Sequence, residues 1–198
     1  EQVRQIKEQL VQTGNPFGLP PGERFQALEG PNLFRERAEV LYYAGCDTAY
    51  RQPRIAQALL KIFQAADADF TLLPGERSTG KPLLLLGYPA EARAMSGDLA
   101  EQIRATRCRT LVTGCPSSFD AFTRDYPAMG LDLGGIEVLH TAQYLDRLLA
   151  EGRLAPLLSA ATSATLLDGT YLGRTHGIFD PPRRVLGKLA GLDLREMV

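Results

Sequence analysis

A short apolar run that ends in glycine and reopens as a helix marks a strand-to-helix corner. Thr110-Leu111-Val112-Thr113-Gly114-Cys115-Pro116-Ser117-Ser118-Phe119 has that form. Leu111 and Val112 suit a buried parallel strand, Gly114 permits a tight turn, and Pro116 fits the first position of a helix. Ser117, Ser118 and Asp120 suit the helix start. The pattern sets Cys115 at the carboxyl end of a strand and beside a helix N-terminus. That edge is where open α/β sheets bind ligands, and the helix dipole there favours a thiolate. A small residue filling the corner is the competing reading of the same stretch.

The alternation recurs along the chain. Val3, Ile6, Leu10 and Val11 repeat at helical spacing, which predicts a helix over 1–13 that Gly14-Asn15-Pro16 stops. Residues 17–31 are rich in proline and glycine and read as an irregular arm, with Phe17, Leu19 and Phe25 available to pack it down. Strands are predicted at 40–43, 70–73, 110–113 and 136–139, with a turn at 44–47 and a loop over 74–82. Helices are predicted at 53–66, 89–105, 118–126 and 140–151. The helix at 53–66 carries Ile55, Ala58, Leu59 and Ile62 on one face, and that at 140–151 carries Leu145, Leu148 and Leu149. The first strand, helix and strand form a βαβ unit with a right-handed crossover.

From about Ser163 the order begins again: a strand at 164–167, a glycine-punctuated turn at 168–177, a helix over 180–188 opened by Asp180-Pro181-Pro182, and a strand at 191–194. Strand, turn, helix, strand is thus repeated, with the second copy cut short. The expected fold is α/β: mostly parallel sheets flanked by helices, two pseudo-repeated lobes with the second incomplete, and an N-terminal helical arm. The expected division is an arm over 1–37, a first lobe over 38–156 and a partial second lobe over 157–198.

Composition excludes several functions. With a formal net charge of -1 and a pI near 6.2, the chain lacks the basic excess that nucleic acid or an anionic membrane surface selects. The apolar run Pro82-Leu83-Leu84-Leu85-Leu86 is too short to span a bilayer. No secretory leader is visible and the first residue is Glu1, so the sequence reads as a mature, trimmed or partial chain. Three cysteines, Cys46, Cys108 and Cys115, make no disulfide framework, and a reducing, cytoplasmic compartment is expected.

Cys46, then Ser78-Thr79-Gly80, then Cys115-Pro116-Ser117-Ser118 follow one another at similar intervals. That spacing resembles the motif of iron–sulfur oxidoreductases with the cysteine-rich CCG domain, among them the CCG-bearing subunits of heterodisulfide reductase, glycolate oxidase and anaerobic glycerol-3-phosphate dehydrogenase. Their motif is Cys, then Cys-Cys-Gly, then Cys-x-x-Cys, often in tandem. Asn15-Pro16-Phe17-Gly18 is similar to the segment that joins a ferredoxin-like domain to the first copy. Leu167-Asp168-Gly169-Thr170-Tyr171-Leu172-Gly173-Arg174 and Ile178-Phe179-Asp180-Pro181-Pro182-Arg183 resemble the opening of the second.

Cysteine stands at only two of these positions. Ser78, Thr79 and Ser118 occupy the others of the first copy, and Thr170 the opening position of the second. The resemblance implies an iron–sulfur cluster. Soft iron takes thiolates, normally four to a simple cluster, and serine or threonine hydroxyls rarely ionise. The expectation is therefore a scaffold that has lost its cluster, with no resident cofactor or metal and a vestigial pocket at Cys46, Ser78, Thr79, Cys115, Ser118 and Thr170. Such a chain would act as a structural or electron-transfer-associated subunit beside other redox-complex subunits or a second copy, docked where needed to a membrane-bound partner. Two alternatives stay open: thiol redox chemistry at Cys46 and Cys115, and a small-anion site with Arg174 and His176 as ligand-binding candidates.

The remaining motifs carry blander readings. Arg174 and Arg183 have Asp168 and Asp180 as nearby carboxylates to pair with. Cys108 reads as a packed small hydrophobe, and His140 as a helix cap. Gly75-Glu76-Arg77-Ser78-Thr79-Gly80-Lys81-Pro82 lacks the final hydroxyl of a phosphate loop, which excludes ATP binding there. Gly-x-Ser-x-Gly is absent.

Overall fold

The computed structural model describes residues 1–30, 32–155 and 159–197. Its centre is a four-stranded parallel sheet of β1 (Val40–Tyr43), β2 (Phe70–Leu72), β3 (Thr110–Thr113) and β4 (Glu137–His140), in the order β2-β1-β3-β4. Alternate residues of each strand face opposite sides. Val40, Tyr42 and Val112 enter one apolar layer, and Leu41, Tyr43 and Leu111 the other. Both faces must therefore be covered.

Helix α3 (Pro53–Ala65) and helix α8 (Thr141–Ala150) cover the first face. Phe63 anchors it: fully buried, it meets the rings of Tyr42, Phe70 and Tyr144 edge-on at 5.3–5.8 Å between centroids. On the second face Leu99 and Ile103 come from α5 (Pro89–Thr106). Phe122 and Tyr126 come from a continuous helical stretch made of α6 (Pro116–Asp120), a π-helical turn (Ala121–Asp125) and α7 (Tyr126–Ala128). Helix α1 (Gln2–Thr13) buries Leu10 against Leu83 of α4 (Lys81–Leu85) and Ala92 and Met95 of α5. It ends at Gly14 in the left-handed conformation, as the Gly14-Asn15-Pro16 stop predicts. The irregular arm is packed down by Phe25 on the first layer and by Phe17 edge-on to Tyr50.

Beyond the sheet, β5 (Ser159–Thr165) and β6 (Ala190–Arg195) form a parallel pair. A π-helical turn (Thr170–Thr175) and helix α9 (Asp180–Leu186) connect them. The fold is α/β with parallel sheets, flanking helices and an N-terminal helix. The division expected at 156–157 lies outside the described residues.

The structure corrects several local expectations. Cys46 opens a short helix, α2 (Cys46–Tyr50), because Gly45 at φ 79° ends the turn two residues earlier. The helix after β3 begins at Pro116, not Ser118. Strand β4 starts at Glu137 and runs to His140, because Thr113 pairs with His140. Strand β5 lies earlier than 164–167; its partner β6 ends at Arg195, opposite Thr165, and Leu167 stands exposed beyond the pairing. On α3 the face turned to the sheet is Ala56, Leu59, Leu60 and Phe63; of the expected stripe Leu59 belongs to it, and Ile55, Ala58 and Ile62 do not. The helix is apolar on more than one side, so periodicity alone does not say which stripe meets the sheet.

Phe63→Ala is expected to destabilise the fold by about 3–5 kcal/mol, as aromatic truncation in a packed core does. Ile55→Ala, at a position 53% exposed, should change stability far less. Urea unfolding of both variants checks the contrast.

Candidate functional site

The sheet order places a switch point between β1 and β3. The chain leaves β1 in one direction toward β2 and returns across it to β3, so the connections diverge between the two carboxyl ends and leave a crevice. Tyr43 is in register with Thr113, which brings the residues just beyond each strand side by side. A Cβ added to Gly45 would lie 3.5 Å from Cys115 Cβ and 3.8 Å from Ser118 Oγ. The two cysteine corners therefore share one end of the sheet and touch.

A cavity of about 130 Å³ opens between them. Cys46, Ser78, Thr79, Cys115 and Ser118 all line it, with Ser117, Thr48 and Pro16. Thr170 does not: it stands exposed where the π-helical turn begins. Arg174 is exposed on that turn, and neither it nor His176 lines the cavity. Arg183, in α9, is taken up by Asp168 at 2.8 Å and Glu196 at 2.7 Å.

Two buried charge networks hold this corner. Glu76 accepts from Arg24 Nη2 at 2.7 Å, Arg24 Nε at 3.1 Å and the Gly45 N–H at 2.9 Å on one carboxylate oxygen, and from the Ala44 N–H at 2.9 Å on the other. Arg24 and Glu76 are 3% and 5% exposed. Arg24 Nη2 also lies 3.6 Å from Cys46 Sγ. Burial still pushes the Cys46 thiol up in pKa, outweighing Arg24, so the neutral thiol is favoured.

The second network stands behind Thr79. Lys81 Nζ donates to Asp120 at 2.5 Å and Asp125 at 2.6 Å, and the other oxygen of Asp120 meets His176 Nε2 at 2.8 Å. Burial opposes ionisation of Asp120, but the hydrogen bonds from Lys81 and His176 prevail and hold it below the usual carboxylate range. His176 thus anchors the π-helical turn to α6, its ring edge-on to Phe119 at 4.9 Å.

Gly80 explains the glycine in the Ser78-Thr79-Gly80 stretch. At φ 83°, an added Cβ would stand 2.5 Å from Ser96 Oγ and 2.8 Å from the Ala92 carbonyl oxygen of α5. Without that close approach, Ser96 Oγ and Tyr126 Oη could not donate to the Thr79 carbonyl at 2.8 and 3.1 Å. Asn15, wholly buried, donates to the Leu19 carbonyl at 2.7 Å and accepts from the Phe17 and Leu19 N–H groups, bending the chain onto the corner. The Ser78 N–H then donates to the Gly14 carbonyl at 2.7 Å. His140 caps α8: Nδ1 accepts from the Ala142 N–H and Nε2 meets the Gly114 carbonyl at 3.2 Å. Cys108 is packed in the second apolar layer, and all three cysteines are free thiols.

The sequence does not single out Arg24, Glu76, Lys81, Asp120 and Asp125. The contacts Arg24–Glu76 and Lys81–Asp120 span 52 and 39 residues, and no local pattern announces them.

No protein-family model matches the chain, and no solved structure matches it. Curated relatives do. A probable membrane-anchored ferredoxin of Chromohalobacter salexigens is 34% identical over 203 residues, which cover 98% of this chain and 30% of that protein. An EtfAB:quinone oxidoreductase of Syntrophomonas wolfei is 32% identical over 156 residues, 77% of this chain and 21% of that protein. A subunit of the dihydromethanophenazine:CoB–CoM heterodisulfide reductase of Methanosarcina acetivorans is 26% identical over 192 residues, 95% of this chain and 47% of its relative. The chain thus spans less than half the length of each of these relatives.

A parallel α/β domain with thiols and hydroxyls gathered at its switch point, similar along most of its length to such proteins, is an iron–sulfur oxidoreductase homologue. That similarity to iron–sulfur oxidoreductases is consistent with the CCG-type motif that the residue spacing resembles.

The donor set at the corner does not fit a cluster held by four thiolates. It offers two half-buried thiols, of which Cys46 is favoured as the neutral form, beside five serine and threonine hydroxyls. Among the described residues no group of three or more His, Cys, Asp or Glu is placed to hold a metal.

Arg24→Met is expected to cost about 3–5 kcal/mol, because Glu76 is left buried without its cation; urea unfolding measures it. Asp120 has a lowered folded-state pKa, so its pairing contributes above its ordinary value of 3.8 and is lost as pH falls through the folded value. The Tm gap between wild type and Asp120→Asn is expected to be full near neutrality and to close in acid. A gap independent of pH would contradict the pairing.

Proposed function

We propose that this chain is a CCG-family domain that no longer holds a cluster and serves as a structural or electron-transfer-associated part of a redox complex. The observation that carries the reading is the donor set at the switch point: Ser78, Thr79 and Ser118 stand with Cys46 and Cys115 around one small cavity. Hydroxyls are hard, neutral donors at ordinary pH and bind soft iron poorly. Ser78 and Thr79 are instead tied into the protein: the Ser78 N–H on Gly14, the Thr79 hydroxyl accepting from the Lys81 N–H, the Thr79 carbonyl accepting from Ser96 and Tyr126. The Glu76 and Lys81 networks brace the same corner through protein groups alone.

On this reading the six positions Cys46, Ser78, Thr79, Cys115, Ser118 and Thr170 are the remnant of the family's site, and the chain divides into an arm over 1–37 and lobes over 38–156 and 157–198. The relatives are redox-complex iron–sulfur proteins, which supports other redox subunits as partners. A relative named as membrane-anchored supports a membrane-bound protein among them, and no described helix of this chain is long and apolar enough to cross a membrane. A cytoplasmic location, with the chain docked to that partner, completes the proposal.

Anaerobically purified protein is expected to be colourless, with iron and inorganic sulfide far below one atom per chain. Stoichiometric iron with thiolate-to-iron absorption, lost in Cys46→Ala and Cys115→Ala, would refute the loss of the cluster.

A further inference from the structure

An apolar concavity lies elsewhere, on the first face of the sheet. Helices α3, α8 and α9 border an open trough of about 600 Å³, within the range of small-molecule sites. The walls are Ile55, Ala58 and Ile62 of α3, Leu145 of α8, and Val185 and Leu186 of α9. These are the α3 residues whose stripe does not meet the sheet. An ion pair between Arg184 of α9 and Asp146 of α8, at 2.6 Å, keeps the third wall in place.

One end of this apolar trough is electropositive. Helices α3 and α8 cover the same face of a parallel sheet, so both begin at the carboxyl edge, and residues of both first turns line the cavity. Arg54 lies in the first turn of α3, where a cation faces the positive end of the helix dipole. Among the described residues it has no carboxylate partner, unlike Arg183 and Arg184 nearby. Thr141, at the same end, carries the single buried side-chain oxygen that lacks a hydrogen-bond partner among the described residues. Its hydroxyl lies against Gly114, 3.3 Å from where a Cβ would stand there, and Gly114 lines the same cavity. The trough runs along α3 from Ile55 to Ile62, about 10 Å at the helical rise, the length of an alkyl chain of roughly eight to ten carbons.

We propose that this cavity binds a medium-chain carboxylate, its head group at Arg54 and Thr141 and its chain along Ile55, Ala58 and Ile62. This goes beyond the reading of the switch-point pocket and does not rest on it. Arg54 supplies the charge that the carboxylate neutralises. The apolar walls supply affinity in proportion to chain length and offer almost no polar partner to a second head group.

The test is calorimetric titration of the chain with hexanoate, octanoate and decanoate, and with decanol as the uncharged control. Saturable one-to-one binding is expected, tighter by about threefold to fourfold for each added methylene. Decanoate should exceed decanol by tenfold or more. Arg54→Ala should remove most of that difference while leaving decanol unchanged, and Ala58→Trp, at an exposed position, should block both. Amide shifts in the unmodified protein provide a readout that needs no variant: decanoate should move the first turns of α3 and α8 and leave Gly45 and Cys115 still. No saturable binding, equal binding of decanol, an unaffected Arg54→Ala variant, or a dimer closed over the trough that decanoate does not dissociate would each overturn the proposal.

Discussion

A carboxylate taken out of water must be answered on both oxygens, and Glu76 is answered on both by groups that shape the corner. The Ala44 and Gly45 N–H groups fix the turn that ends β1. Arg24 draws the irregular arm against the same turn and lies beside Cys46. The pair is not required to add net stability, since a buried ion pair pays heavily in desolvation. Its effect is geometric. A turn that drifted would lose two backbone hydrogen bonds and strand a buried charge at once, so this corner has one arrangement rather than several.

The Lys81 network does the same for the opposite wall, and it reaches further. Asp120 sits at the end of α6, directly after Cys115 and Ser118, and His176 comes from the turn between β5 and α9. One carboxylate therefore couples the helix that carries the second cysteine to the segment beyond the main sheet. Through Gly80 and the Thr79 carbonyl, the same wall is stitched to α5. The hydroxyl-bearing stretch Ser78-Thr79 is held between the two networks and cannot relax independently of either.

The elements that were legible in the sequence are those set by local chemistry. Gly14, Pro53 and Pro116 mark helix ends and starts, and the apolar runs at Val40, Phe70, Thr110 and Ile136 lie within a residue of the strands. Register with a distant partner decided the remainder: β5 begins where β6 can pair with it, and Ser163 and Leu167 do not announce that. The candidate corner was legible for a related reason. Cys46 and Cys115 each follow a strand, and strands that share a parallel sheet put their ends together. The order β2-β1-β3-β4, which makes β1 and β3 neighbours, has no local signature. Nor do the charges. Glu76 and Lys81 fall in a stretch, 74–82, whose composition reads as a solvated loop, and only the fold, across dozens of residues, brings Arg24 and Asp120 to them.

The two cavities described above follow from one topological fact. In a parallel sheet every strand ends on the same edge and every covering helix begins there, so N–H groups and turn residues collect along that edge while apolar side chains collect behind it. At the switch point between β1 and β3 the edge is lined with short polar side chains, and the cavity is small and internally braced. One strand further out, between α3 and α8, the same edge meets a helix with apolar residues on two sides, and the space behind it is large and nearly without polar lining. Phe63, Leu60 and Leu148 fix α3 and α8 on the sheet, and none of the three lines the cysteines' corner. The apolar depression and the corner that carries the cysteines are thus held in place by different side chains of one fold.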